Sequence, residues 1–165
     1  MLFRSHNRGH HVRVATPEDP ASARYGEAYW RFLPRTLAGS LRHAWQLDRR
    51  EVLLPWLATF CVAAALGIAF GPRAVAFFFA QSAMAVVLLE AVNYIEHYGL
   101  QRERLGDGRY ERPAARHSWD AYHWLSNAFL VHLQRHADHH VHPMRPYAAL
   151  QPQAESPQQI GRAHV

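Results

Sequence analysis

The sequence predicts an all-α protein: an integral membrane helical hairpin of two transmembrane helices, flanked by histidine-bearing helices. Two long apolar runs fill the middle of the chain, and the tight turn Gly71-Pro72-Arg73 separates them. The polar flanks on either side of these runs contain clusters of histidine. We therefore expect transmembrane helices at about 52–70 and 74–95, joined by so short a turn that they must be antiparallel.

The length of the apolar runs is the main evidence for the membrane. The stretch 52–70 is free of charged residues, and at about 1.5 Å per residue it approaches the ~30 Å hydrocarbon core of a bilayer. The second run contains Glu90, which is either a functional intramembrane carboxylate or close enough to the interface to reach it. The alternative is a buried hairpin in a soluble protein. Two adjacent runs of this length favour the membrane.

The distribution of charge predicts how the hairpin is oriented. All 18 basic residues are arginine, the net charge is +5, and Arg73 alone lies between the two apolar runs. Positively charged flanks remain on the cytoplasmic side, so we expect both histidine-bearing flanks there. The basic residues are not gathered on a soluble fold with interleaved aromatics, and we expect no nucleic-acid binding.

The two flanks predict further helices and turns. The segment 15–23 has two prolines and cap-type residues and indicates an ordered turn. Residues 26–45 predict a helix, lying either in the membrane interface or packed as an ordinary amphipathic helix on protein. After a turn at 106–108, helical periodicity returns over 117–140. From Gln151 onward the chain is rich in proline and glutamine and predicts disorder.

Seven histidines are candidate metal ligands because they are clustered. In the octad 133–140, three imidazoles are spaced i, i+3 and i+4, which places them side by side on one helical face within reach of a common point. A second cluster near the N-terminus has the spacing i, i+4 and i+5. His97 is a further candidate, and the full set is His6, His10, His11, His97, His136, His139 and His140.

Seven imidazoles exceed the three or four ligands of one zinc site and indicate two metal ions close together. An all-imidazole set suits a redox metal, and iron is the natural candidate. Asp19, Glu96 and Asp138 are candidates to hold the second nitrogen of a ligand ring, although each could equally be an exposed charge or a helix cap. Interface or surface roles are expected for five further histidines, His43, His117, His123, His132 and His142.

Three segments of the chain resemble the membrane-bound alkane 1-monooxygenases, a non-haem di-iron family related to the membrane fatty-acid desaturases. These segments are 6–23, 93–100 and 133–140, and the resemblance extends over about residues 3–158. The box Asn-Tyr-x-Glu-His-Tyr-Gly at 93–99 separates the alkane hydroxylases from the desaturases and marks His97 as a ligand.

The resemblance implies a partial fatty-acid-desaturase-like fold that holds two non-haem iron ions on the seven histidines. It also implies that O2 is used to hydroxylate the terminal methyl of an alkane drawn from the membrane lipid, with no catalytic residue beyond the ligands. Electrons would come from rubredoxin, with rubredoxin reductase upstream. The expected location is the bacterial inner (cytoplasmic) membrane, with the histidine clusters on the cytoplasmic side.

The chain also departs from the family pattern. The family has a His-Glu-x-x-His box upstream of the first cluster, and Ser5 occupies a position where glutamate is usual. We therefore expect residues 1–158 to be the C-terminal portion of the hydroxylase domain, inactive as a fragment. The tail 159–165 does not match the family, and we expect it to be artefactual and disordered.

Two other functions remain open at this stage. A related membrane di-iron hydroxylase could act on aryl methyl or fatty acyl substrates. A protein of another class, a non-catalytic histidine-rich membrane protein, could bind metal without chemistry. Such a protein would be expected to carry polar groups along its spans, and the two spans here contain no histidine.

Overall fold

The computed structural model describes residues 6–158, with the side chains of Asn7 and Ser126 left aside. The described part is helical, and its extended pairing is limited to isolated bridges, which confirms the predicted all-α class. We number the helices α1 (a π-helical turn His6–His10 continued by an α-helical turn His11–Arg13), α2 (Tyr29–Leu47), α3 (Arg50–Phe70), α4 (Pro72–His97), α5 (Trp124–Phe129) and α6 (His136–Val141). Two 3-10 turns, Ala115–His117 and Tyr147–Ala149, complete the set.

Helices α3 and α4 form the predicted hairpin. Gly71 ends α3 with a φ of +80°, a conformation that glycine adopts without steric cost, and its N–H donates to the Gly67 carbonyl at 2.9 Å. Pro72 then occupies the first position of α4, where its missing N–H removes no helical hydrogen bond. The chain therefore reverses within one residue, and the two long helices lie against each other.

The surface of the hairpin distinguishes a membrane span from a soluble core. Both helices are long and apolar enough to cross a membrane, and only 11% and 6% of their most apolar windows are buried. Large side chains such as Leu57, Phe60, Phe77 and Met84 are more than half exposed. A buried soluble hairpin would cover these side chains, whereas lipid accommodates them at no cost. The hairpin therefore fits a membrane protein.

The last two turns of α4 are packed against protein, unlike the exposed apolar part of the helix before them. Glu90, Asn93, Glu96 and His97 are all buried, and their spacing places them on one side of the helix. The Thr36 hydroxyl of α2 donates to Glu90 Oε2 at 3.1 Å, and Asn93 Nδ2 donates to the same oxygen at 3.3 Å. Glu90 therefore has polar partners within the protein, which offsets the cost of burying it.

Helix α2 is attached to α4 by tyrosines. The Tyr29 hydroxyl donates to the Val87 carbonyl at 2.6 Å, and the Tyr94 hydroxyl donates to the Glu27 carbonyl at 2.5 Å. Phe32 is fully buried beneath the helix, while Trp30 is 73% exposed. The segment was predicted to be either an amphipathic helix packed on protein or a helix in the membrane interface, and each prediction describes one face of α2. The face with Phe32 packs on protein, and the face with Trp30 is free to contact the membrane interface.

Two expectations for the C-terminal flank are wrong. The continuous helix predicted over 117–140 is reduced to α5 and α6, because Val131 and His132 adopt left-handed φ values of 51° and 63° that break the helix. The disorder predicted from residue 151 is wrong for 151–158, where Ser156 is buried and donates to the Ser118 carbonyl at 2.8 Å. The tail 159–165 and Ser5 lie outside the described residues.

Candidate metal centre

The structure brings the seven candidate histidines together as two groups. His10, His97, His136 and His140 form the first, which we call the four-histidine group, and the second or three-histidine group consists of His6, His11 and His139. Within each group the potential ligand atoms lie within 4.8 Å of one another. Helices α1 and α6 each contribute to both groups. The expectation that each cluster converges on one common point is therefore wrong.

The four-histidine group is buried and its nitrogens converge. His136 Nε2 lies 3.0 Å from His97 Nε2 and 3.0 Å from His140 Nε2, and His10 Nε2 is buried without a hydrogen-bond partner. At a metal–nitrogen distance of about 2.1 Å, neighbouring ligand nitrogens lie about 3.0 Å apart in octahedral geometry and about 3.4 Å apart in tetrahedral geometry. The spacing of these nitrogens therefore suits a bound metal ion.

The three-histidine group has similar spacing and is less enclosed. His6 Nε2 lies 3.0 Å from His11 Nε2 and 3.4 Å from His139 Nε2. The two groups share a wall, because the His11 ring centroid is 4.5 Å from that of His140. Two metal ions bound in these groups would thus be close neighbours.

Helix geometry explains the division of each cluster. On α6, His136 and His140 are four residues apart and point the same way, whereas His139 is rotated by about 100° from His140. The π-helical turn of α1 has a wider period than an α-helix, which brings His6 over His11 and turns His10 towards the other group. The same sequence clusters thereby supply ligands to two adjacent sites.

Burial favours the neutral form of imidazoles in both groups. It lowers the pKa of His6 to about 2 and that of His11 to about 3, and the neighbouring imidazoles add to both shifts. Burial likewise holds the pKa values of His136 and His140 well below 6.5. Because a metal binds the neutral ring, the cluster is prepared for coordination without first losing protons.

Asp19 anchors one of the ligand rings. Its Oδ2 accepts a hydrogen bond from His10 Nδ1 at 2.8 Å and another from the Ser22 hydroxyl at 2.7 Å. Burial alone would raise the pKa of Asp19, but the contacts with His10 and Ser22 outweigh it and hold the pKa below its usual range. A charged carboxylate at Nδ1 fixes the ring so that Nε2 faces the group.

Glu96 and Asp138 do not act as their positions in the sequence suggested. Glu96 was expected to support the adjacent His97, but its Oε2 lies 3.2 Å from His136 Nδ1, without the alignment of a hydrogen bond. Asp138 contacts the segment after α6 instead of a ligand ring. Its carboxylate accepts hydrogen bonds from His142, Arg145, Gln153 and the Gln151 backbone, at 2.6–2.8 Å. These bonds outweigh burial and hold its pKa at about 2.

Asp120 is a site residue that the sequence did not reveal. It is fully buried, and its Oδ1 accepts a hydrogen bond at 2.8 Å from the Ala137 N–H in the first turn of α6. Its other oxygen accepts one from the Tyr122 hydroxyl at 2.9 Å. Asp120 thus caps the helix that carries three of the histidines. The cap comes from 17 residues upstream, so no local capping pattern could have indicated it.

A cavity of about 270 Å³ opens beside the three-histidine group. Its volume is near the lower end of the ~300–1,000 Å³ typical of small-molecule sites. The walls combine apolar side chains of α4 and the loop before α6 with the ligand rings, and include Leu89, Val92, Asn93, Leu133, His139 and Tyr147. An apolar molecule in this cavity would lie directly against histidine ligands.

Fold and site together describe a helical membrane protein with a two-part, all-histidine candidate metal centre at the end of the hairpin opposite the Gly71 turn. The sequence model described as fatty acid desaturase matches residues 3–162, nearly the whole chain. The chain belongs to the fatty acid desaturase family.

Curated relatives refine this placement. The chain is 44% identical over 167 positions to alkane 1-monooxygenase 2 of Pseudomonas aeruginosa, and 43% identical over 170 positions to alkane 1-monooxygenase 1 of Alcanivorax borkumensis. These matches cover 93% and 94% of this chain but only 44% and 42% of the relatives. The hydroxylase component of xylene/toluene monooxygenase from Pseudomonas putida is 24% identical over 172 positions. The chain spans less than half the length of these relatives.

Replacing Asp19 tests the support of the four-histidine group. The variant Asp19→Asn keeps the shape of the side chain but removes the negative charge at His10 Nδ1. We expect metal affinity to fall by about tenfold to a hundredfold, the usual effect of losing such a partner. The measurement is competition with a metal chelator, and Asp107→Asn, in the exposed turn far from the histidines, is the matched control. Equal affinities for both variants would contradict this role of Asp19.

Acidification tests the neutrality of the rings. Because folding lowers the histidine pKa values below 6.5, the unfolded chain binds more protons between about pH 6.5 and the folded values. The free energy of unfolding of the metal-free protein should therefore decrease as pH falls from about 7 to about 5. Thermal unfolding in detergent measures this, and the variants His6→Asn and His11→Asn should each flatten the dependence. Stability that is constant or rises on acidification would be inconsistent with neutral buried rings.

Proposed function

We propose that this chain is part of a membrane di-iron monooxygenase that hydroxylates the terminal methyl of alkanes. The observation that supports this most is the pair of adjoining all-imidazole groups, because two metal ions held side by side in a neutral ligand set suit oxidative chemistry. The 44% identity to an alkane 1-monooxygenase supports the choice of reaction.

The roles of the protein residues follow from the site. Each of the two histidine groups would hold one iron ion. The two ions would supply the activation of O2, with electrons from the donor, so that one oxygen atom enters a carbon–hydrogen bond and the other leaves as water. Asp19 orients His10, and Asp120 holds the first turn of α6, so the ligand nitrogens are positioned before metal binds. Burial excludes water from the four-histidine group and limits side reactions.

The cavity beside the three-histidine group is the proposed alkane site. Leu89 and Val92 lie on α4, whose outer part carries the exposed apolar surface, so an alkane dissolved in the bilayer can reach the cavity along this helix. His6 and His139 also line the cavity. An alkane offers nothing to hydrogen-bond, and apolar walls next to the ligands are therefore what positions its end.

The electron donor and the membrane orientation are part of the proposal. Most arginines flank the hairpin on its histidine-bearing side, which supports placing this side in the cytoplasm of a bacterial inner membrane. A soluble acidic donor would be attracted to this face, since complementary charge accelerates encounter. We assign this role to rubredoxin, reduced in turn by rubredoxin reductase.

Aryl methyl hydroxylation is the second candidate function. It is supported by similarity to the hydroxylase component of a xylene/toluene monooxygenase. That identity is 24%, against 44% for alkane 1-monooxygenase 2. The alkane is therefore the substrate we propose.

A chimera tests the reaction. The matching segment of the Pseudomonas aeruginosa alkane 1-monooxygenase 2 is replaced by this chain, and whole cells that supply rubredoxin are given octane or xylene. We expect 1-octanol to form, and its formation to require rubredoxin. The unaltered relative serves as the positive control, and the His136→Ala chimera as the inactive control. Oxidation of xylene without octane would contradict the alkane assignment.

Filling the cavity tests the substrate site. In the same chimera, Val92→Phe places a larger ring in the cavity, and octane hydroxylation should fall by about tenfold to a hundredfold because the substrate end is displaced. Iron content should not change. The control is Ile95→Phe on the same helix, since Ile95 is half exposed and is absent from the cavity wall. Equal activity of the two variants would show that the cavity does not hold the alkane.

A further inference from the structure

A second depression in the protein surface lies between α2 and the loop that follows α1, and none of the seven candidate ligand histidines lines it. Its volume is about 440 Å³, and we call it the basic groove. Most of the charged side chains that line it are positive. The titratable lining residues are Arg13, Glu18, Arg24, Arg35, Arg42 and His43. Four arginines and one glutamate line the groove, so its net charge is positive and an anion is the complementary ligand.

Internal ion pairs account for only part of this positive charge. Arg35 is bound to Glu27 at 2.6 Å and also donates to the carbonyls of Pro20 and Ser22. Arg13 and Arg42, in contrast, form no ion pair with a carboxylate within residues 6–158, and Arg13 Nε is buried without a hydrogen-bond partner. A buried donor without an acceptor costs free energy, which a bound anion would recover.

The wall of the groove touches the segment that carries metal ligands. His43 packs against Gly9 so tightly that a Cβ at position 9 would lie 2.3 Å from His43 Cε1, and Arg13 Nη2 lies 3.1 Å from the same point. The absence of a side chain at Gly9 is therefore required for α2 to approach α1. A ligand in the groove would hold α1 and α2 together.

The position of α2 indicates the source of the anion. Trp30, Leu37, Leu41 and Trp45 are 40–73% exposed and recur at helical spacing along one face of α2. The groove residues lie along another face of the same helix, which ends at Leu47, just before α3 enters its apolar span at Arg50. Exposed tryptophan and leucine beside arginine is the arrangement of a helix in the lipid interface.

We infer that the basic groove binds the phosphate headgroup of an anionic phospholipid, with Arg13 and Arg42 as the principal cations. Arginine suits this role because its planar guanidinium donates two parallel hydrogen bonds to phosphate oxygens. The acyl chains of the same lipid would lie along the exposed apolar face of α2. The exposed tryptophans and leucines on the neighbouring face of α2 suit acyl chains better than a soluble acidic protein, and we therefore favour lipid. The inference does not depend on the proposed reaction.

Lipid retention tests this inference. The protein is assembled in nanodiscs of equal parts phosphatidylcholine and phosphatidylglycerol, released, and the bound lipids are counted by native mass spectrometry. The test variant is Arg13→Gln with Arg42→Gln, and the matched control is Arg31→Gln with Arg49→Gln, two exposed arginines that do not line the groove. Arg42→Gln alone is included because Arg13 belongs to α1. Inorganic phosphate and glycerol phosphate are added as soluble competitors.

We expect the wild type and the control pair to retain phosphatidylglycerol over phosphatidylcholine. The preference should fall about fivefold for Arg42→Gln and further for the double variant, at about 1 kcal/mol for each arginine near an anionic surface. An equal loss in the control pair, or no preference in the wild type, would overturn the inference. Displacement of the lipid by millimolar inorganic phosphate would also overturn it, by showing a site for free phosphate. Iron content is measured in the same samples, so failure here is distinguishable from failure of the metal-centre proposal.

Discussion

Seven imidazole rings packed side by side, six of them buried, are the constraint on which the rest of this structure depends. Polar nitrogens inside a protein cost free energy unless they are paired. His10 Nε2 has no hydrogen-bond partner, and the Nε2 atoms of His97, His136 and His140 have only one another. Burial and repulsion between neighbouring rings lower the pKa values of His6 and His136 and favour their neutral form. A metal ion in the four-histidine group would satisfy these Nε2 atoms, which is why the buried cluster suits metal binding.

The scaffold holds these rings through connections between distant parts of the chain. Helix α4 is continuous from the Gly71 turn to His97. The helix whose outer part carries the exposed apolar surface therefore also contributes a ring to the candidate metal centre. Asp19 hydrogen-bonds to the His10 ring of α1, and Asp120 accepts a hydrogen bond from the first turn of α6. Asp138 accepts one from the backbone of the segment that follows α6. Because α1 and α6 each contribute to both groups, both candidate metal sites depend on how these two helices pack together.

The sequence predicted what depends on local pattern. The hairpin is visible in apolar length and one Gly-Pro turn, and the histidines in their spacing. The division into two groups was not predictable from spacing, because it requires the π-helical turn of α1 and the rotation of His139 away from its neighbour. Asp120 acts on a helix far along the chain, and 151–158 is ordered by Asp138 and Ser118, so composition alone predicted disorder there.

The central claim is that the histidines form two neighbouring metal sites rather than one. Its most direct test is an anomalous difference map, collected at the iron absorption edge, from crystals of the iron-loaded protein. The account predicts two separate peaks, one surrounded by His10, His97, His136 and His140 and the other by His6, His11 and His139. A single peak shared by the three histidines of α6 would contradict it.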